Sequence, residues 1–567
     1  MGNLLTNRWA ARAAALIAGL AAAFANQPWG LLPGLLGYAG LLWLLDHTPP
    51  PSASRTPPPE GEEIALTSPS GGSGPKGQRG HVRAISSAFF RGWLAGLGYF
   101  AVSIWWVGEA FFVDAAEQGW MAPFAVGFLA AGLALFWGAA AALYRLAASA
   151  NAARLLVFAG ALALLEWVRG HLLTGFPWDL PGEAWKAGSA PSQAASLVGV
   201  YGLTWITLAI AAAPGLGWRG RGEKIAIGAA ALGLVALYGF GAWRLANATT
   251  APAAGAPLVR IVQPDTPELP HYDAAAFESV VRRNLDLTRA PSAGRAPDIV
   301  IWSEAGLPDA LNDYLAPGTW TAGAIAAALR PGQTLITGGY RFEPAPHGAF
   351  APDGNLYFNS LAVVQRSGAG IAVTALYDKH RLTPFGEYLP LARLAERLGL
   401  RQLVHVGQGF TPGPPPQPLA PPGVPAFQPL ICYESLFPGF TRQGARLAGR
   451  RAAWIVNISD DAWFGVTSGP WQHLNLASYR AIEEGLPMLR GTPTGVSAAI
   501  DAYGRVLPGK LLGQGAYGVI DVPLPPALPP TLFDAVGDTP FWVLLAASAA
   551  LMFQIRNATL RRNRTGR

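Results

Sequence analysis

Long apolar runs dominate the first 250 residues of the chain, and short polar stretches separate them. A helix that crosses a bilayer needs about 20 mostly apolar residues, and seven runs in this region approach that length. An eighth run lies near the carboxyl terminus. The pattern predicts a membrane domain over 1–250 and about eight membrane-spanning helices in all. The predicted spans are 10–26, 29–46, 89–107, 121–143, 154–169, 195–213, 225–243 and 533–554.

The segment 257–525 has a different pattern, since no apolar run in it is long enough to span a membrane. Short runs rich in β-branched and aromatic residues alternate with segments of helical spacing, such as Phe277, Val280, Val281 and Leu285. This alternation predicts an α/β domain. The predicted helices are 273–288 and about 470–485, and the predicted strands are 258–262, 298–302, 334–341, 360–365, 371–377, 427–431, 454–458 and 496–501.

Lysine and arginine residues gather in alternate loops between the apolar runs. The loop at 108–120, by contrast, contains three acidic residues and no basic one. Cytoplasmic loops carry the excess of positive charge in membrane proteins, so both termini, including the basic tail 555–567, are predicted to be cytoplasmic. Seven spans then place 257–525 outside the cytoplasm. The residues that carry the pattern are Arg8, Arg12, Arg55, Lys76, Arg79, Arg83, Arg145, Arg154, Arg219, Arg221, Lys224, Arg556, Arg561, Arg562, Arg564 and Arg567.

The composition is typical of a chain that is partly dissolved in lipid. Hydrophobic residues make up 51% and charged residues 13% of the chain, and the charged share of an average soluble domain is about 25%. The net charge of +7 is explained by membrane topology, so no nucleic-acid partner is expected. The stretch 47–80 is rich in Pro, Ser, Gly and Glu, which predicts a disordered cytoplasmic loop.

Three residues with suitable chemistry follow three of the predicted strands. Glu304, Lys379 and the single cysteine, Cys432, each come within two residues of a strand end, where reactive groups collect in α/β sheets. A thiol attacks as thiolate and needs a base, which Glu304 can supply, and the ammonium group of Lys379 can stabilise an oxyanion. On spacing alone, Cys432 could be a small buried hydrophobic residue, as a lone cysteine usually is, and the other two could be ordinary charges.

The stretches around these residues resemble the bacterial apolipoprotein N-acyltransferase family, within the carbon–nitrogen hydrolase (nitrilase) superfamily. The three stretches are IWSEAGLP, YDKHRLTPFGEYLP and ICYESLFP. DDAWFG at 460–465, the long stretch 469–495 and EWVRGHLLTGFPW at 166–178 extend the resemblance. It covers nearly the whole chain apart from 47–80.

The resemblance implies a nitrilase-like α-β-β-α sandwich carried on a multi-span helical membrane domain. It also implies a catalytic triad in which Glu304 is the base, Lys379 the oxyanion-stabilising lysine and Cys432 the nucleophile. Four further residues fall on motif positions, and structural roles for them are about as expected as direct chemistry. These supporting residues are Glu387, Tyr433, Glu434 and Trp463.

The chain departs from the family pattern at three places near these motifs. Pro493 stands in TPTG where the family usually has TNTG, Asp460 stands where an asparagine is usual, and Ser303 precedes Glu304 where a proline is frequent. None of the three is a triad residue. The departures bear on loop geometry rather than on the reaction.

By resemblance, the protein N-acylates the diacylglyceryl-modified N-terminal cysteine of apolipoproteins with a phospholipid as acyl donor. The implied route is a ping-pong reaction through a thioester on Cys432, without cofactor or metal. The implied setting is the bacterial inner membrane, with a periplasmic catalytic domain and a monomeric enzyme. Two alternatives stay open: a membrane-tethered amidase or nitrilase-type hydrolase, and a transporter with an appended binding domain. The few charges within the predicted spans argue against the transporter.

The segment 389–400, directly after the PFGE motif, has an amphipathic pattern. Leu391, Leu394, Ala395 and Leu398 lie on one helical face. This pattern predicts either a surface helix packed on the domain core or a mobile lid in the membrane interface.

Overall fold

The computed structural model of the chain describes residues 7–47, 75–147, 151–218, 220–249, 251–347, 353–389 and 409–565. Two predicted features therefore lie largely outside the described residues. They are the disordered loop, from residue 48 to residue 74, and the amphipathic segment 389–400, of which only Leu389 is described.

The first seven apolar runs each coincide with a helix in the described part of the chain. Helices pack closely where small residues meet, as in membrane bundles. Gly92, for example, lies so near the next helix that a Cβ there would be 2.5 Å from the carbonyl oxygen of Trp137. These helices are α1 (Arg8–Ala23), α2 (Leu36–Asp46), α3 (Pro75–Ser103), α4 (Ala122–Ala147), α5 (Arg154–His171), α6 (Ala195–Ala212) and α7 (Arg221–Ala246).

Three of the described helical segments are long and apolar enough to cross a membrane, namely Ala115–Ala147, Pro191–Leu216 and Arg221–Ala246. A fourth is added if α3 and the short helix Trp105–Phe112, which meet at 47°, form one broken span. Helices α1 and α2 contain 16 and 11 residues. At about 1.5 Å per residue they are shorter than a hydrocarbon core of about 30 Å. The described helices therefore support membrane association. They support three or four membrane spans by length and composition, and the prediction of eight spans stays a prediction.

The outer faces of the long helices are apolar and exposed. On α7, Leu232 is 69% and Val235 is 67% exposed. An apolar surface of this extent would be unfavourable in water and suits contact with lipid tails.

The second half of the chain folds into two stacked mixed β-sheets. In the first sheet the strand order is β11-β1-β2-β3-β4-β5, and in the second it is β10-β9-β8-β7-β6. Strand β1 pairs in parallel with β2, β2 with β3, β6 with β7 and β7 with β8, and the other pairs are antiparallel. The strands are β1 (Leu258–Gln263), β2 (Ile299–Ile301), β3 (Thr334–Pro344), β4 (Asn355–Ser367), β5 (Gly370–Asp378), β6 (Phe427–Ile431), β7 (Trp454–Ile458), β8 (Met488–Gly491), β9 (Ser497–Ile500), β10 (Val506–Leu512) and β11 (Gly518–Pro523).

Side chains alternate between the two faces of each strand, so one face of each sheet builds the core between the sheets. In β1, Val259 and Ile261 belong to that inner core, while Val262 belongs to the outer core beneath the helices. The helices α8 (Ala274–Arg289) and α9 (Trp320–Ala328) border the first sheet, and α10 (Phe440–Ala448) and α11 (Gly469–Glu484) belong to the half of the domain that contains the second sheet. The arrangement is a nitrilase-like sandwich, as predicted.

Helix α11 also joins the sandwich to the part of the chain that contains helices α1 to α7, which we call the membrane half. Fifteen of its 16 residues are buried, because the second sheet covers one side and the membrane half covers the other. Gln472 accepts hydrogen bonds from the indole nitrogens of Trp106, at 2.8 Å, and Trp178, at 3.1 Å. Glu483 accepts one from the backbone of Val200 at 2.9 Å. The apolar residues of α11, such as Leu474 and Leu476, belong to one continuous hydrophobic core with the membrane half. The two halves therefore form a single packed unit.

The backbone N–H of Val200 is available because α6 is interrupted at Gly199, whose φ is 66°. Glycine tolerates this left-handed conformation. A Cβ at the position would also lie 2.4 Å from the ring of Phe533. Gly199 is thus required by both the backbone and the packing at this junction.

Two boundaries differ from the predicted ones. The helix α3 begins at Pro75, so the end of the predicted disordered loop is wrong for 75–80; proline is well accommodated in a first helical turn. The last helix, α12 (Thr539–Thr565), starts six residues later than the predicted eighth span, after the short helix Leu532–Val536 and a left-handed Gly537. It continues through most of the predicted basic tail.

Candidate active site

Cys432 lies at a sharp turn between strand β6 and the short helix Cys432–Leu436. Its φ is 47°, a left-handed conformation that is uncommon for a residue with a side chain and costs on the order of 1–3 kcal/mol. Its carbonyl oxygen accepts a hydrogen bond from the Ser435 hydroxyl at 2.8 Å, which helps to hold the turn. The half-buried thiol is thereby presented at the carboxyl end of β6, as the sequence predicted.

Lys379, two carboxylates and one amide form a compact group that we call the lysine cluster. Its members are Lys379, Glu304, Glu387 and Asn359. The Lys379 Nζ atom lies 3.2 Å from Glu304 Oε1 and 3.0 Å from Glu387 Oε1. The Asn359 amide donates to the same two oxygens at 2.7 and 2.6 Å. Strand β5 runs in the same direction as β2 and β3, because two antiparallel pairings connect β3 to β5. The ends that carry Glu304 and Lys379 therefore meet at one edge of the sheet.

The charges of the lysine cluster and Cys432 act on one another. Burial alone would lower the pKa of Lys379, but Glu304 and Glu387 outweigh burial and raise it, so the ammonium form persists. Burial raises the pKa of the Cys432 thiol, and the charge of Glu304 raises it further, while Lys379 and a hydrogen bond from Ser459 oppose the rise. Cys432 therefore rests as a thiol whose pKa responds to the charges of Glu304 and Lys379.

Glu434 connects the two strand ends that carry Lys379 and Cys432. Its Oε1 atom accepts hydrogen bonds from the Tyr377 hydroxyl at 2.7 Å and the His380 backbone at 2.8 Å, and its Oε2 atom accepts one from the Ile431 backbone at 2.9 Å. Burial raises the pKa of Glu434 to about 7, and the hydrogen bonds from the Ile431 backbone and the Tyr377 hydroxyl oppose the rise. The contacts indicate that Glu434 positions the site.

Tyr433 points towards the membrane half, in contrast to its neighbour Cys432. Its hydroxyl donates to the carbonyl of Gly175, and its ring lies 6.5 Å from that of Phe176. Both residues belong to the loop after α5 that was part of the family resemblance. The loop is held in turn by the buried Arg169, which donates to the Phe176 carbonyl and forms an ion pair with Glu166.

Trp463, the remaining predicted position, is half-buried in the short helix Asp461–Phe464. No hydrogen bond or ring contact joins its side chain to the lysine cluster or to Cys432 within the described residues. Among the described residues, Glu387 contacts Lys379, and Glu434 contacts the backbone beside Lys379 and Cys432; the role of Trp463 stays a prediction.

A second charged group lies beside the turn at Cys432, and it consists of Arg490, Asp461, His473 and Ser435. We call it the arginine cluster. The Arg490 Nη2 atom donates to both Asp461 carboxylate oxygens, at 2.7 and 2.9 Å. His473 Nδ1 lies 3.1 Å from Asp461 Oδ1, and His473 Nε2 lies 3.0 Å from Ser435 Oγ and 3.3 Å from the Cys432 carbonyl. All four side chains are buried. This chain of contacts ends at the strained turn.

The charges of the arginine cluster set the protonation states of Asp461 and His473. Burial would raise the pKa of Asp461, but Arg490 and His473 outweigh it and place the pKa well below the usual range. Burial and Arg490 lower the pKa of His473, which favours the neutral ring. An ionised Asp461 and a neutral His473 therefore accompany Arg490 at neutral pH.

Two of the family departures can be located. The backbone N–H of Asp460 donates to Glu304 Oε2 at 2.8 Å, a bond that does not depend on the side chain. Burial and the charge of Glu304 raise the pKa of the Asp460 carboxyl to about 7. The carbonyl of Pro493 accepts a hydrogen bond from the backbone of Thr266 at 3.3 Å.

Sequence reasoning missed Asn359 and the Asp461–Arg490 pair. The available signal was a polar residue inside an apolar strand: Asn359 interrupts the apolar run of β4, and Arg490 lies opposite Asn457 in neighbouring strands β7 and β8. Buried polar groups need partners, so such residues point to a network. The partners themselves come from other strands and loops.

The fold and the site together define an enzyme of the carbon–nitrogen hydrolase type whose domain is joined to membrane helices. The family model described as apolipoprotein N-acyltransferase N-terminal domain matches residues 79–213, and the carbon-nitrogen hydrolase model matches residues 258–528.

Relatives of similar length identify the family. The chain is 51% identical over 549 residues to the apolipoprotein N-acyltransferase of Caulobacter vibrioides, covering 97% of this chain and 95% of the relative. It is 38% identical over 573 residues to that of Bradyrhizobium diazoefficiens, covering 98% and 97%. The chain belongs to the apolipoprotein N-acyltransferase family, and it is an acyltransferase of bacterial lipoprotein maturation.

A structure of the amidase from Nesterenkonia sp. AN1 is also similar to part of the chain. The identity is 18%, the TM-score is 0.31, and the match covers 56% of this chain and 99% of the amidase. At that level the likeness adds nothing to the family assignment.

Proposed function

We propose that this enzyme transfers an acyl chain from a phospholipid to the α-amino group of a diacylglyceryl-modified N-terminal cysteine, through a thioester on Cys432. The names of the relatives support the lipoprotein acceptor. The phospholipid donor is supported by the apolar helices to which the catalytic domain is docked. A membrane anchor of this kind gives access to two substrates that both carry acyl chains.

In the first half-reaction, Glu304 accepts the thiol proton as Cys432 attacks the ester carbonyl of the donor. The negative charge on the carbonyl oxygen is balanced by the Lys379 ammonium and by the backbone N–H of Tyr433, which lies in the first turn of a short helix. Glu304 then returns the proton to the departing alkoxide. The products are the lysophospholipid and the thioester.

In the second half-reaction, the free amine of the apolipoprotein attacks the thioester carbonyl. Glu304 accepts a proton from the attacking amine, and the Cys432 sulfur departs and regains its proton. The product is an amide, which is less reactive than the thioester, so the direction is favourable. Glu387 and Asn359 keep Lys379 in place in both steps.

The proposed setting is the bacterial inner membrane, with eight spans, both termini in the cytoplasm and the catalytic domain on the periplasmic side. The alternation of basic loops supports this orientation. We propose a monomer, because one chain supplies the whole lysine cluster and the membrane half to which it is docked.

One observation carries the proposal: the Lys379 ammonium lies between Glu304 and Glu387 at strand ends of the first sheet, and its charge acts on Cys432, which stands on a strained turn at the end of β6 in the second sheet. A cysteine that only packed in the core would need neither the strain nor the charges.

The test is the intact mass of the purified protein after incubation with a phospholipid of defined acyl chains. We expect one acyl mass on Cys432, which disappears when an N-terminal diacylglyceryl-cysteine peptide is added and reappears on that peptide. Release of the acyl chain as free fatty acid, with the peptide left unmodified, would instead identify a membrane-tethered hydrolase.

A further inference from the structure

A polar cavity lies at the junction of the two halves, next to the active site. Its volume is about 140 Å³. His171 and Tyr201 line it from the membrane half, and Arg381, Phe437 and Gln443 line it from the catalytic half. The cavity exists only because the two halves are docked, since neither half supplies all of its walls.

The cavity shares a wall with the active site. Arg381 follows Lys379 by two residues, and its guanidinium lies 4.1 Å from the ring centroid of Phe437. That ring also packs against Tyr433, with centroids 5.1 Å apart, and Tyr433 follows Cys432. A molecule bound beside Arg381 is therefore connected through two packed aromatic side chains, Phe437 and Tyr433, to the turn that carries Cys432.

The donors that line the cavity have unused capacity. The Arg381 guanidinium makes one hydrogen bond, from Nη1 to the carbonyl of Thr174 at 3.3 Å, and it has no carboxylate partner among the described residues. His171 uses Nδ1 towards the carbonyl of Trp167 at 2.7 Å. The Tyr201 hydroxyl is buried, and in the described structure it lacks any hydrogen-bond partner. Buried hydroxyl groups are normally satisfied, so this one points to a missing acceptor.

No aspartate or glutamate is among the described residues that line the cavity. A guanidinium with free N–H groups matches the planar arrangement of two oxygens in a phosphate group. The surface beside it is apolar: Leu172 and Leu173, which follow His171, are 54% and 92% exposed. A cationic cavity with an apolar rim fits a phosphate that carries acyl chains better than a free anion.

We propose that this cavity binds the phosphate group of the phospholipid donor and so sets the position of its ester at Cys432. Arg381 supplies the charge, and the Tyr201 hydroxyl and His171 supply further hydrogen bonds. This inference deepens the proposed function and rests on it for the identity of the donor. It adds a site that discriminates a phospholipid from a neutral glyceride with the same ester.

Two donors with the same acyl chains test the proposal: a synthetic phosphatidylglycerol and the diacylglycerol that lacks its headgroup. In detergent micelles, the rate at which each acylates Cys432 is followed by intact mass. We expect Arg381→Gln to lower the ratio of the phospholipid rate to the diacylglycerol rate about tenfold, the effect of a lost charged hydrogen bond. Arg446→Gln removes a similar charge from exposed surface on α10 and should leave the ratio unchanged.

Tyr201→Phe is the finer variant. We expect it to lower the same ratio about threefold without lowering the thermal unfolding temperature, because the hydroxyl lacks a partner within the described chain. Equal loss with both donors in either variant would mean that the residue positions the active site, and it would overturn the proposal.

Equilibrium binding separates failure of this inference from failure of the proposed function. Fluorescent phosphatidylglycerol and diacylglycerol are titrated into the Cys432→Ala protein, with and without Arg381→Gln. If wild-type Cys432 is never acylated but the Arg381-dependent preference for the phosphate donor persists, the proposed reaction is wrong and the cavity is a phospholipid site. If inorganic phosphate displaces the lipid at equal concentration, the cavity is a free-anion site and the inference fails.

Discussion

The lysine cluster and the arginine cluster, both close to Cys432, have similar residue types but differ in the arrangement and the exposure of their charges. The lysine cluster places one cation between two carboxylates, and the arginine cluster places one carboxylate between a cation and an imidazole. In the lysine cluster, Glu304 is 11% exposed; in the arginine cluster, Arg490 and Asp461 are wholly enclosed.

The difference shows how the site divides its tasks. The lysine cluster holds a carboxylate beside a thiol of raised pKa, an arrangement in which a proton can move. The arginine cluster has an aspartate of lowered pKa and a neutral histidine, an arrangement in which no proton moves at neutral pH. We infer that the first performs chemistry and the second holds the turn at Cys432.

Replacing Cys432, the proposed nucleophile, should have the largest effect and leave both clusters intact. We expect Cys432→Ala and Cys432→Ser each to reduce acyl transfer by at least about 10⁴-fold, because the thioester cannot form. The measurement is transfer to a diacylglyceryl peptide, with circular dichroism as a check on folding. Near-normal turnover in either variant would assign Cys432 a structural role.

The cation of the lysine cluster should matter by position as well as by charge. We expect Lys379→Arg to be nearly as damaging as Lys379→Ala, with transfer lower by about 10²–10³-fold, because a planar guanidinium cannot replace a compact ammonium between two carboxylates. Arg289→Lys, on the exposed surface of α8, is the control for an arginine–lysine exchange. Full activity of Lys379→Arg would show that net charge suffices.

The arginine cluster should respond through stability instead. Arg490→Met leaves Asp461 buried without its main cation, so we expect a loss of about 3 kcal/mol in the free energy of unfolding, measured by denaturant titration. Arg505→Met removes an ion pair whose arginine side chain is 34% exposed, and it should lose far less. A large fall in transfer by Arg490→Met without any loss in the free energy of unfolding would contradict the division of tasks.

The pH dependence of Arg490→Met has a definite sign. The pKa of Asp461 is depressed in the folded wild type, so its contribution to stability is present above the unfolded pKa and is lost as pH falls through the folded value. We expect the stability difference between wild type and variant to shrink towards acid pH.

Glu304→Gln should separate transfer from thiol ionisation. The charge of Glu304 raises the pKa of Cys432, after the larger effect of burial. Removing that charge should lower the thiol pKa, so the pH profile of alkylation by iodoacetamide should move to lower pH although acyl transfer is lost. An unchanged or opposite shift would show that the carboxylate does not act on the thiol.

Asp460→Asn should have the smallest effect. The pKa of Asp460 is raised to about 7 by burial and by Glu304, so its contribution to stability is present below the unfolded pKa and is lost as pH rises through about 7. We expect the variant to gain thermal stability relative to wild type at pH 8, less at pH 5 and little below about pH 4. Asp353→Asn, an exposed carboxylate, serves as the control.

The apolar pattern predicted most elements within a few residues. Strands β6 and β7 occupy the predicted ranges without change, because both are short apolar runs buried on both faces. Strands β8, β10 and β11 were not predicted. Strand β8 has only four residues and contains the buried Arg490, and β10 contains Pro508 and Gly509, so the local pattern favours neither strand.

The sequence by itself determined which residues have reactive side chains and which segments are apolar, since composition and periodicity are local properties. The motifs around Glu304, Lys379 and Cys432 were visible in this way. Only the tertiary structure decided which groups meet. Asn359 reaches Glu304 and Glu387 through strand pairing, Asp461 meets Arg490 across β7 and β8, and Arg381 and Tyr201 meet at a cavity between the two halves. Such contacts depend on the register and the docking of elements that are far apart in the chain, so a local sequence pattern cannot predict them.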